Sequence, residues 1–235
     1  MTQYLYTFPE KLIRATFVRR YKRFMADFYL ESGELVVAHC PNSGSMKSCL
    51  EQGAEACLSP VNNPKRKTRY TWEMIRINGQ WVGINTSLPN IMASEAMRQQ
   101  AIPGLEGYED IRREVRFGDS RFDILAQNSQ EQCYVEIKNV TLNEAGVAMF
   151  PDSVTLRGQK HLDTLREVKS QGMRAVLLFV IQRTDVHAFA AASHIDPAYA
   201  RKLEEAKDSG VEVIPWQVRV TPEGIRPVKL FNYPA

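Results

Sequence analysis

The stretch Arg121-Phe122-Asp123-Ile124-Leu125, followed downstream by Tyr134-Val135-Glu136-Ile137-Lys138, decides the fold of this chain. Both stretches are typical of β-strands, in which side chains alternate between the two faces. Glu136 and Lys138 therefore share one face, while the apolar residues between and before them point to the other face and can be buried in a core. If Asp123 lies across the hairpin from Glu136, two carboxylates converge beside an ammonium group.

This group of charges is typical of a metal-dependent phosphodiesterase. Two carboxylates offer hard oxygen ligands, which suit Mg²⁺ or Mn²⁺ better than zinc. Lys138 would then orient an attacking water or stabilise negative charge that develops on a phosphate. A plainer interpretation stays open at this point, because a Glu-x-Lys pair on a strand is often a solvated ion pair that contributes little.

The composition is that of an ordinary globular protein, and the charge is unevenly distributed. With 235 residues, the chain can bury a sizeable core as one large domain or two smaller ones. The net charge is only +3, but residues 1–83 carry twelve Lys and Arg against seven Asp and Glu. A basic first part beside a slightly acidic remainder predicts that the first part meets a polyanion.

The cysteines and the hydropathy favour a cytoplasmic protein. Cys40, Cys49, Cys57 and Cys133 form no Cys-x-x-Cys pair and have no nearby histidine pair, so we expect reduced thiols rather than a zinc site or a disulfide framework. The amino terminus lacks the apolar segment of a signal peptide. The longest apolar run, residues 175–181, is too short to span a membrane.

Short strands dominate the first third of the chain. Strand patterns cover residues 16–29, 35–39, 54–59, 70–77 and 81–84, and the Asn78-Gly79 pair between the last two is a strong hairpin signal. About five short strands with little helix predict a small barrel or a sandwich. This all-β part would end near residue 84, giving domains 1–84 and 85–235.

The rest of the chain has the pattern of an α/β sandwich. Helical periodicity in residues 89–101 is followed by strand patterns near 112–117, 121–126 and 133–141. A helix over 155–171, a buried strand over 174–182, a helix over 197–209 and a strand over 211–220 complete the order. Such an order requires at least one crossover that makes neighbouring strands parallel.

Two neighbouring segments add candidates for the same site. Glu95 lies in the helix before the sheet and can reach the same metal, although a solvated helix residue is an equally good interpretation. Arg157, Gln159 and Lys160 open the helix after the Glu-x-Lys strand and can meet a phosphate near its positive end, where Gly158 would allow close backbone approach. A charged helix start without special function remains the alternative.

Two basic clusters mark the first part as a nucleic-acid surface. Arg19-Arg20-Tyr21-Lys22-Arg23-Phe24 interleaves cations for phosphates with rings for bases, and Lys65-Arg66-Lys67 forms a second cluster in a loop. Either cluster alone is usually a solvated surface, but both lie in the one basic region of the chain.

Two other functions are disfavoured by the sequence. The adjacent His39 and Cys40 would point to opposite faces of a strand, and no acid is evident to orient a Cys/His nucleophile. A helix-turn-helix through residues 196–209 is disfavoured, because Gly210 leads into a β-rich run where the recognition helix should be.

Several stretches carry a family resemblance in the same order along nearly the whole chain. They are Arg19-Arg20-Tyr21-Lys22-Arg23-Phe24, His39-Cys40-Pro41-Asn42-Ser43-Gly44-Ser45-Met46, Ser120-Arg121-Phe122-Asp123, Tyr134-Val135-Glu136-Ile137-Lys138-Asn139-Val140-Thr141, and Phe150-Pro151-Asp152-Ser153-Val154-Thr155 with Arg157-Gly158-Gln159-Lys160-His161-Leu162. Together they resemble the bacterial sugar fermentation stimulation protein A family.

The resemblance implies an all-β, OB-like amino-terminal barrel followed by an α/β domain of the PD-(D/E)xK nuclease superfamily. It also implies sequence-nonspecific DNA binding and a link to the regulation of maltose and sugar metabolism. Matched to the superfamily motif, Asp123, Glu136 and Lys138 take the catalytic places, and Glu95 is the helix carboxylate. The chain departs from the motif in one respect, since its first aspartate follows Phe122 rather than proline.

The sequence thus predicts a DNA-binding protein with a Mg²⁺ or Mn²⁺ site formed by Glu95, Asp123, Glu136 and the Ile137 carbonyl. The alternative is a regulatory DNA-binding protein that keeps the nuclease-like fold without turnover. A β-rich protein of this size is also compatible with a homodimer. The residues predicted to contact nucleic acid are Arg19, Arg20, Lys22, Arg23, Lys65, Arg66, Lys67, Arg157, Gln159 and Lys160.

Overall fold

The computed structural model describes residues 3–233 and begins with a closed barrel. Strand neighbours run in the order β3-β2-β1-β4-β5, and a short parallel pairing of β3 with β5 closes the ring, while β6 pairs with the outside of β5. This confirms the predicted OB-like barrel. The strands are β1 (Ile13–Tyr21), β2 (Met25–Leu30), β3 (Leu35–His39), β4 (Glu55–Pro60), β5 (Tyr70–Ile77) and β6 (Gln80–Gly83).

The barrel interior is filled by aromatic rings. Phe17, Phe28 and Trp72 are almost fully buried, with the Phe17 and Trp72 rings stacked at 5.0 Å between centroids. Each comes from a different strand, and the smaller residues between them, such as Ala26 and Ala38, fit the space that these rings leave. Burial of three large rings gives this small barrel much of its apolar stabilisation.

One predicted strand is wrong. Residues 16–29 were expected to form a single strand, but the chain turns at Lys22 and Arg23, which adopt positive φ values of 46° and 64°. No glycine, proline or asparagine marks this turn, so the sequence pattern did not reveal it. The basic run therefore forms the tip of the β1–β2 hairpin rather than the middle of a strand.

The second part is a mixed sheet with helices on both faces, as the sequence order predicts. The sheet order is β15-β14-β12-β9-β8-β7, in which β9, β12 and β14 are parallel and the outer pairs are antiparallel. Its main elements are α1 (Leu88–Arg98), β7 (Asp110–Phe117), β8 (Ser120–Gln127), β9 (Gln132–Val140), α2 (Leu156–Ser170), β12 (Arg174–Ile181), α3 (Pro197–Asp208), β14 (Glu212–Thr221) and β15 (Gly224–Leu230).

Helix α1 packs on one face of the sheet, and helices α2 and α3 pack on the other, so side chains that alternate along β9 enter different cores. Val135 and Ile137 pack in the core that contains α1, whereas Tyr134 packs in the core that contains α2 and α3. The predicted division of side chains along the Glu-x-Lys strand is therefore confirmed. Since Glu136 follows the parity of Tyr134, its carboxylate faces α2.

Four strands were missed by the sequence pattern, and three of them are very short. They are β10 (Leu142–Glu144), β11 (Val147–Phe150), β13 (Ala188–Ala191) and β15, and the first three form a separate small sheet. Strands of three or four residues offer too few alternations to be recognised.

The barrel and the α/β part share an extensive contact. Cys57 and Met74 of the barrel belong to the same apolar core as α1. The buried Arg183 donates to Ser48 Oγ at 3.1 Å and also bonds the Thr141 carbonyl, while its own charge is paired with Asp185. Apolar burial and a neutralised cation thus join the two parts. Among residues 3–233, no helix is long and apolar enough to cross a membrane.

Candidate nuclease-like site

The sheet forks beside the Glu-x-Lys strand. Strands β8 and β9 are paired from Gln127↔Gln132 to Ile124↔Val135 and then separate, whereas β9 stays paired with β12 as far as Val140. The first half of β8 continues to pair only with β7. Separated strands leave backbone groups without their usual partners, so side chains can enter the gap.

Asp123 fills the fork. Its Oδ2 accepts a hydrogen bond of 2.7 Å from the Ile137 backbone N–H, and its Oδ1 accepts one of 2.7 Å from the Asn90 side chain. The carboxylate thus replaces the strand partner that Ile137 would otherwise have. Burial, followed by the neighbouring charge of Glu136, raises the pKa of Asp123 to about 6. The two predicted carboxylates are therefore close enough to couple electrostatically.

Glu136 is buried and is held by two cationic or polar partners. Lys138 Nζ lies 2.7 Å from Glu136 Oε1, and His161 Nδ1 makes a short contact with the same oxygen. Burial acts to raise the pKa of Glu136, but the hydrogen bonds and charges of His161 and Lys138 outweigh it and hold the pKa below its usual value. Both contacts fall on Oε1, and no hydrogen bond to Oε2 occurs within residues 3–233.

His161 was not predicted as a site residue. It comes from α2, lies 3.0 Å from Lys138 Nζ through Nδ1, and accepts a bond from Arg157 Nε at 3.3 Å through Nε2. A signal for it exists in the sequence, because His161 shares the helical stripe of the buried Leu162 and Leu165. A polar residue on such a stripe requires a buried partner, which here is the Glu136 carboxylate.

Helix α1 contributes Asn90 to the fork, whereas the Glu95 side chain of the same helix makes its contacts outside the fork. Glu95 accepts from Gln99 at 2.9 Å and lies 3.7 Å from Arg98, and none of its contacts within residues 3–233 is with Asp123 or Glu136. The expectation that Glu95 joins the two carboxylates is therefore not met in this structure. Asn90 lies more than one helical turn before Glu95 and occupies the position that faces the fork.

The start of α2 differs from the prediction in two residues. Gln159 donates to both carboxylate oxygens of Asp196, at 3.1 and 3.2 Å, so its amide is used within the fold. Gly158 is buried, and a Cβ there would lie 2.8 Å from Thr155 and 3.1 Å from Tyr199. The structure thus gives Gly158 a packing role at the contact between α2 and α3, and phosphate approach at this glycine stays a prediction. Arg157 and Lys160 are exposed as expected.

The basic run of the barrel contains cations that the fold already uses. Arg20 donates to the carbonyls of Asn42, Gly44 and Arg23 at 2.7 to 2.9 Å, which holds the loop after β3. Arg23 donates to the Ser43 carbonyl at 3.0 Å. Arg20 therefore stabilises this loop through hydrogen bonds, in addition to carrying a positive charge.

The other barrel cations that were predicted to contact nucleic acid have few or no acidic partners within residues 3–233. Arg19 pairs with the buried Asp27 but keeps 72% of its side chain exposed. Lys22 and the loop residues Lys65, Arg66 and Lys67 are exposed, and none of them forms an ion pair within residues 3–233. The loop leads into β5, whose first residues Tyr70 and Thr71 pair with Ala38 and His39, so it lies near the end of β3. Both predicted basic clusters therefore meet at one end of the barrel.

No group of three or more His, Cys, Asp or Glu side chains that could hold a metal ion occurs among residues 3–233. The fork therefore offers two carboxylates and not the three that were expected. All four cysteines are buried and unpaired by disulfides, in agreement with the prediction of reduced thiols.

Two family models together match most of the chain. The model described as "SfsA N-terminal OB domain" matches residues 18–84, and the model described as "Sugar fermentation stimulation protein RE domain" matches residues 87–224. The boundary between the two matches coincides with the short segment between β6 and α1.

Curated and solved relatives cover nearly all of the chain. A sugar fermentation stimulation protein homolog of Geotalea uraniireducens is 53% identical over 92% of this chain and 94% of its own length. The homolog of Geobacter sulfurreducens is 51% identical over 93% of this chain and 94% of its own length. A solved structure of Pyrococcus furiosus SfsA in complex with Ca²⁺ is 28% identical, with a TM-score of 0.89 over 97% of this chain and 98% of that one.

Proposed function

The chain belongs to the sugar fermentation stimulation protein family, and from that premise we propose that it binds DNA without sequence specificity and hydrolyses phosphodiester bonds at the fork. One observation carries the proposal: Asp123 and Glu136 are electrostatically coupled where β8 leaves β9, with Lys138 Nζ 2.7 Å from Glu136. Buried carboxylates with perturbed pKa values are more often functional than ordinary surface ion pairs are.

The residues present fit a divalent cation. Glu136 Oε2 has no hydrogen-bond partner within residues 3–233, and burial together with the charge of Glu136 raises the pKa of Asp123, an effect that a bound cation would offset. Mg²⁺ is usually bound by one or two carboxylates together with water and substrate phosphate, so a third acidic side chain is not required. The similar Pyrococcus furiosus protein was solved with Ca²⁺, which also prefers oxygen ligands.

The groups at the fork divide the chemical work. When bound, Mg²⁺ or Mn²⁺ lowers the pKa of water and neutralises charge on the phosphate. The ammonium of Lys138 is placed to donate to the attacking water or to a phosphate oxygen, and Glu136 holds it there at 2.7 Å. Asn90 and the Ile137 N–H fix the orientation of Asp123 through two bonds of 2.7 Å. His161 holds the same Glu136 oxygen as Lys138 does, and its Nδ1 lies 3.0 Å from Lys138 Nζ.

The DNA-binding part of the proposal rests on the exposed cations of the barrel. Lys22, Lys65, Arg66 and Lys67 have no acidic partner within residues 3–233, so their charges are available to phosphates. Contacts of this kind carry no sequence information and release counterions on binding. Affinity should therefore fall steeply with salt and vary little with base sequence.

A second function, DNA binding without cleavage in the regulation of sugar (maltose) metabolism, is favoured by one observation. Glu136 Oε1 is occupied by both Lys138 and His161, which would compete with a cation for the same oxygen. In that case Asp123 and Glu136 would stabilise the fork itself.

A cleavage assay separates the two functions. Purified protein is incubated with supercoiled plasmid and with labelled single strands in Mg²⁺, Mn²⁺ or EDTA, and Asp123→Ala serves as the variant. We expect cleavage that requires a divalent cation and is lost in Asp123→Ala, while DNA binding is retained. Salt-dependent binding with no cleavage in any metal would support the second function instead.

A further inference from the structure

We infer that the nucleic acid bound by this protein is single-stranded, with its bases stacked beside Phe24 and its backbone led through a cleft between the two domains towards the fork. This inference rests on the proposed function, since it names the class of nucleic acid that the same site would act on. Three features carry it: an aromatic surface on the barrel, the distribution of charge along that surface, and the continuity of the cleft.

The outward face of β1, β2 and β3 forms a continuous surface, which we term the outer barrel face. The register aligns Tyr21 with Met25 and His39, and Tyr29 with Leu35. Val36 and Ala38, which alternate with these residues, point into the barrel. The residues of the outer barrel face are Arg19, Tyr21, Met25, Asp27, Tyr29, Leu35, Val37 and His39.

This face and the adjoining turn are unusually apolar for an exposed surface. Of the eight large hydrophobic residues that are exposed among residues 3–233, four lie here, namely Phe24, Tyr29, Leu35 and Val37, at 36 to 54% exposure. The Phe24 ring stacks on His39 at 6.3 Å, and the Arg23 guanidinium lies 5.7 Å from the centre of the Phe24 ring. Contiguous apolar surface of this kind usually marks a binding site.

The two ends of the outer barrel face carry opposite charges. Lys22 and Arg23 form the tip beside Phe24, and the basic loop 65–67 leads into the start of β5, which pairs with His39 at the same end. The opposite end is the β2–β3 turn, which exposes Glu31 and Glu34 beside Tyr29. A polyanion is therefore attracted to the Phe24 end and repelled from the Tyr29 end.

An interdomain cleft continues from the Phe24 end to the start of α2. It has a volume of about 250 Å³, and its walls come from Arg23 and the loop 42–44 on the barrel side and from Asn139 and the segment 149–155 on the other. The segment 149–155 ends at Thr155, which is the N-cap of α2, the helix that carries His161. Arg23 thus lies both beside the Phe24 ring and in the wall of a cleft that reaches the start of α2.

The cleft suits a backbone rather than a double helix. Its one acidic lining residue, Asp152, is turned to the Met46 N–H at 3.1 Å, and Gly44 lies so close that a Cβ there would be 2.4 Å from an Asp152 oxygen. Among the other lining residues, the Asn139 amide, whose oxygen accepts from Gln182, and the exposed Ser153 hydroxyl can donate hydrogen bonds to phosphate or sugar. A cleft of this size admits a single backbone and excludes a duplex.

Aromatic rings add affinity only for unpaired bases. In a duplex the base faces are stacked on one another, so exposed rings cannot reach them, whereas a single strand can stack its bases on protein rings. A surface meant for duplex DNA would need the cations and not Phe24. A partner protein would use the whole apolar face, including the Tyr29 end.

The test is a fluorescence anisotropy titration of the full-length protein in EDTA, with a labelled oligothymidylate and with a blunt duplex of equal length. We expect tighter binding of the single strand. Phe24→Ala should weaken that binding by roughly tenfold, the effect of one lost base stack, and Phe24→Trp should retain it. Tyr29→Ala is the matched control, because it removes an equally exposed ring at the acidic end and should leave affinity unchanged.

Each outcome decides the inference. Equal or tighter binding of the duplex overturns it but leaves the proposed DNA binding intact, whereas failure to bind either probe removes the proposed function as well. Unchanged single-strand affinity in Phe24→Ala overturns the assigned surface and indicates that the apolar face serves a protein partner. Thermal melting of each variant by circular dichroism excludes unfolding as the cause of a lost affinity.

Discussion

Charged side chains gather in two regions of this molecule, and the two regions hold them in different ways. At the fork, Glu136 is 3% exposed and its charge is fixed by Lys138 and His161. On the barrel, Lys22 and the loop 65–67 are exposed and have no acidic partners within residues 3–233. The fork is therefore built for fixed geometry, and the barrel surface for attraction of a mobile polyanion.

The role of a charged side chain can be predicted from the sequence at the fork but not on the barrel surface. Strand register determines which side chains meet at the fork, so the spacing of Asp123, Glu136 and Lys138 was informative. No such rule governs a run of surface cations, in which Arg20 is hydrogen-bonded to backbone carbonyls while Lys22 has no ion pair within residues 3–233. Substitution of a charge that the fold holds in place should therefore have a different effect from substitution of an exposed, mobile one.

The largest effect is expected from Lys138. Lys138→Ala should lower the rate of DNA cleavage roughly 100- to 1,000-fold, because it removes a preorganised donor from the site. Affinity for DNA, measured by anisotropy, should change little. Lys11→Ala removes an exposed barrel lysine and is the control, with cleavage expected at the wild-type rate. A Lys138→Ala protein that cleaves normally would contradict the assigned role.

Arg20→Ala should destabilise the fold, whereas Lys22→Ala, two residues along the chain, should have little effect on stability. The variant loses three hydrogen bonds to carbonyls of the chain, at 2.7 to 2.9 Å, and should lower the free energy of unfolding by about 2 kcal/mol. Lys22→Ala should change it by less than about 0.5 kcal/mol. Urea denaturation measures both, and equal effects would show that the two residues do not differ as proposed.

Asp123→Asn should alter the pH dependence of stability. The folded-state pKa of about 6 lies above the ordinary value of 3.8, so the folded protein binds a proton more tightly than the unfolded chain does. This contribution to stability is present below about pH 4 and is lost as pH rises through about 6. In EDTA, the variant should therefore gain stability relative to wild type by on the order of 2 kcal/mol between pH 4 and pH 7.5.

Denaturant titrations across this pH range provide the measurement, and Asp119→Asn, in the exposed β7–β8 turn, is the control. A constant difference between Asp123→Asn and wild type across the range would show that Asp123 ionises normally.

The smallest effect is expected from a single exposed lysine. Lys22→Ala should weaken DNA binding a few-fold and reduce the slope of log affinity against log salt by about 1, since one phosphate contact is lost. Lys229→Ala, on the outer strand β15, should leave the slope unchanged. If Lys22→Ala has no effect on the slope, the β1–β2 tip does not contact the phosphates.

Much of the fold follows from alternation and punctuation in the sequence. The Asn78-Gly79 hairpin, the helices near 155–171 and 197–209 and the central strands all lie within a few residues of their predicted positions. The turn at Lys22 and Arg23 could not be predicted, because it depends on positive φ values at residues that rarely adopt them. The strands of three or four residues form only because neighbouring elements hold them in place.

The candidate site was predicted in its centre but not at its edges. Asp123, Glu136 and Lys138 lie on adjacent strands, so spacing alone brings them together. Asn90 and His161 come from helices, whose rotation relative to the sheet is set by packing that no local pattern records. For the same reason Glu95, the more obvious helix residue, is directed to Arg98 and Gln99 instead.

The most direct test of the account is a titration of Mn²⁺ followed by electron paramagnetic resonance, with wild type and Asp123→Asn in parallel. We expect that wild type binds Mn²⁺ and that the variant loses this binding while its circular dichroism spectrum is unchanged. Equal binding of Mn²⁺ by both proteins, or none by wild type, would contradict a metal site at the fork.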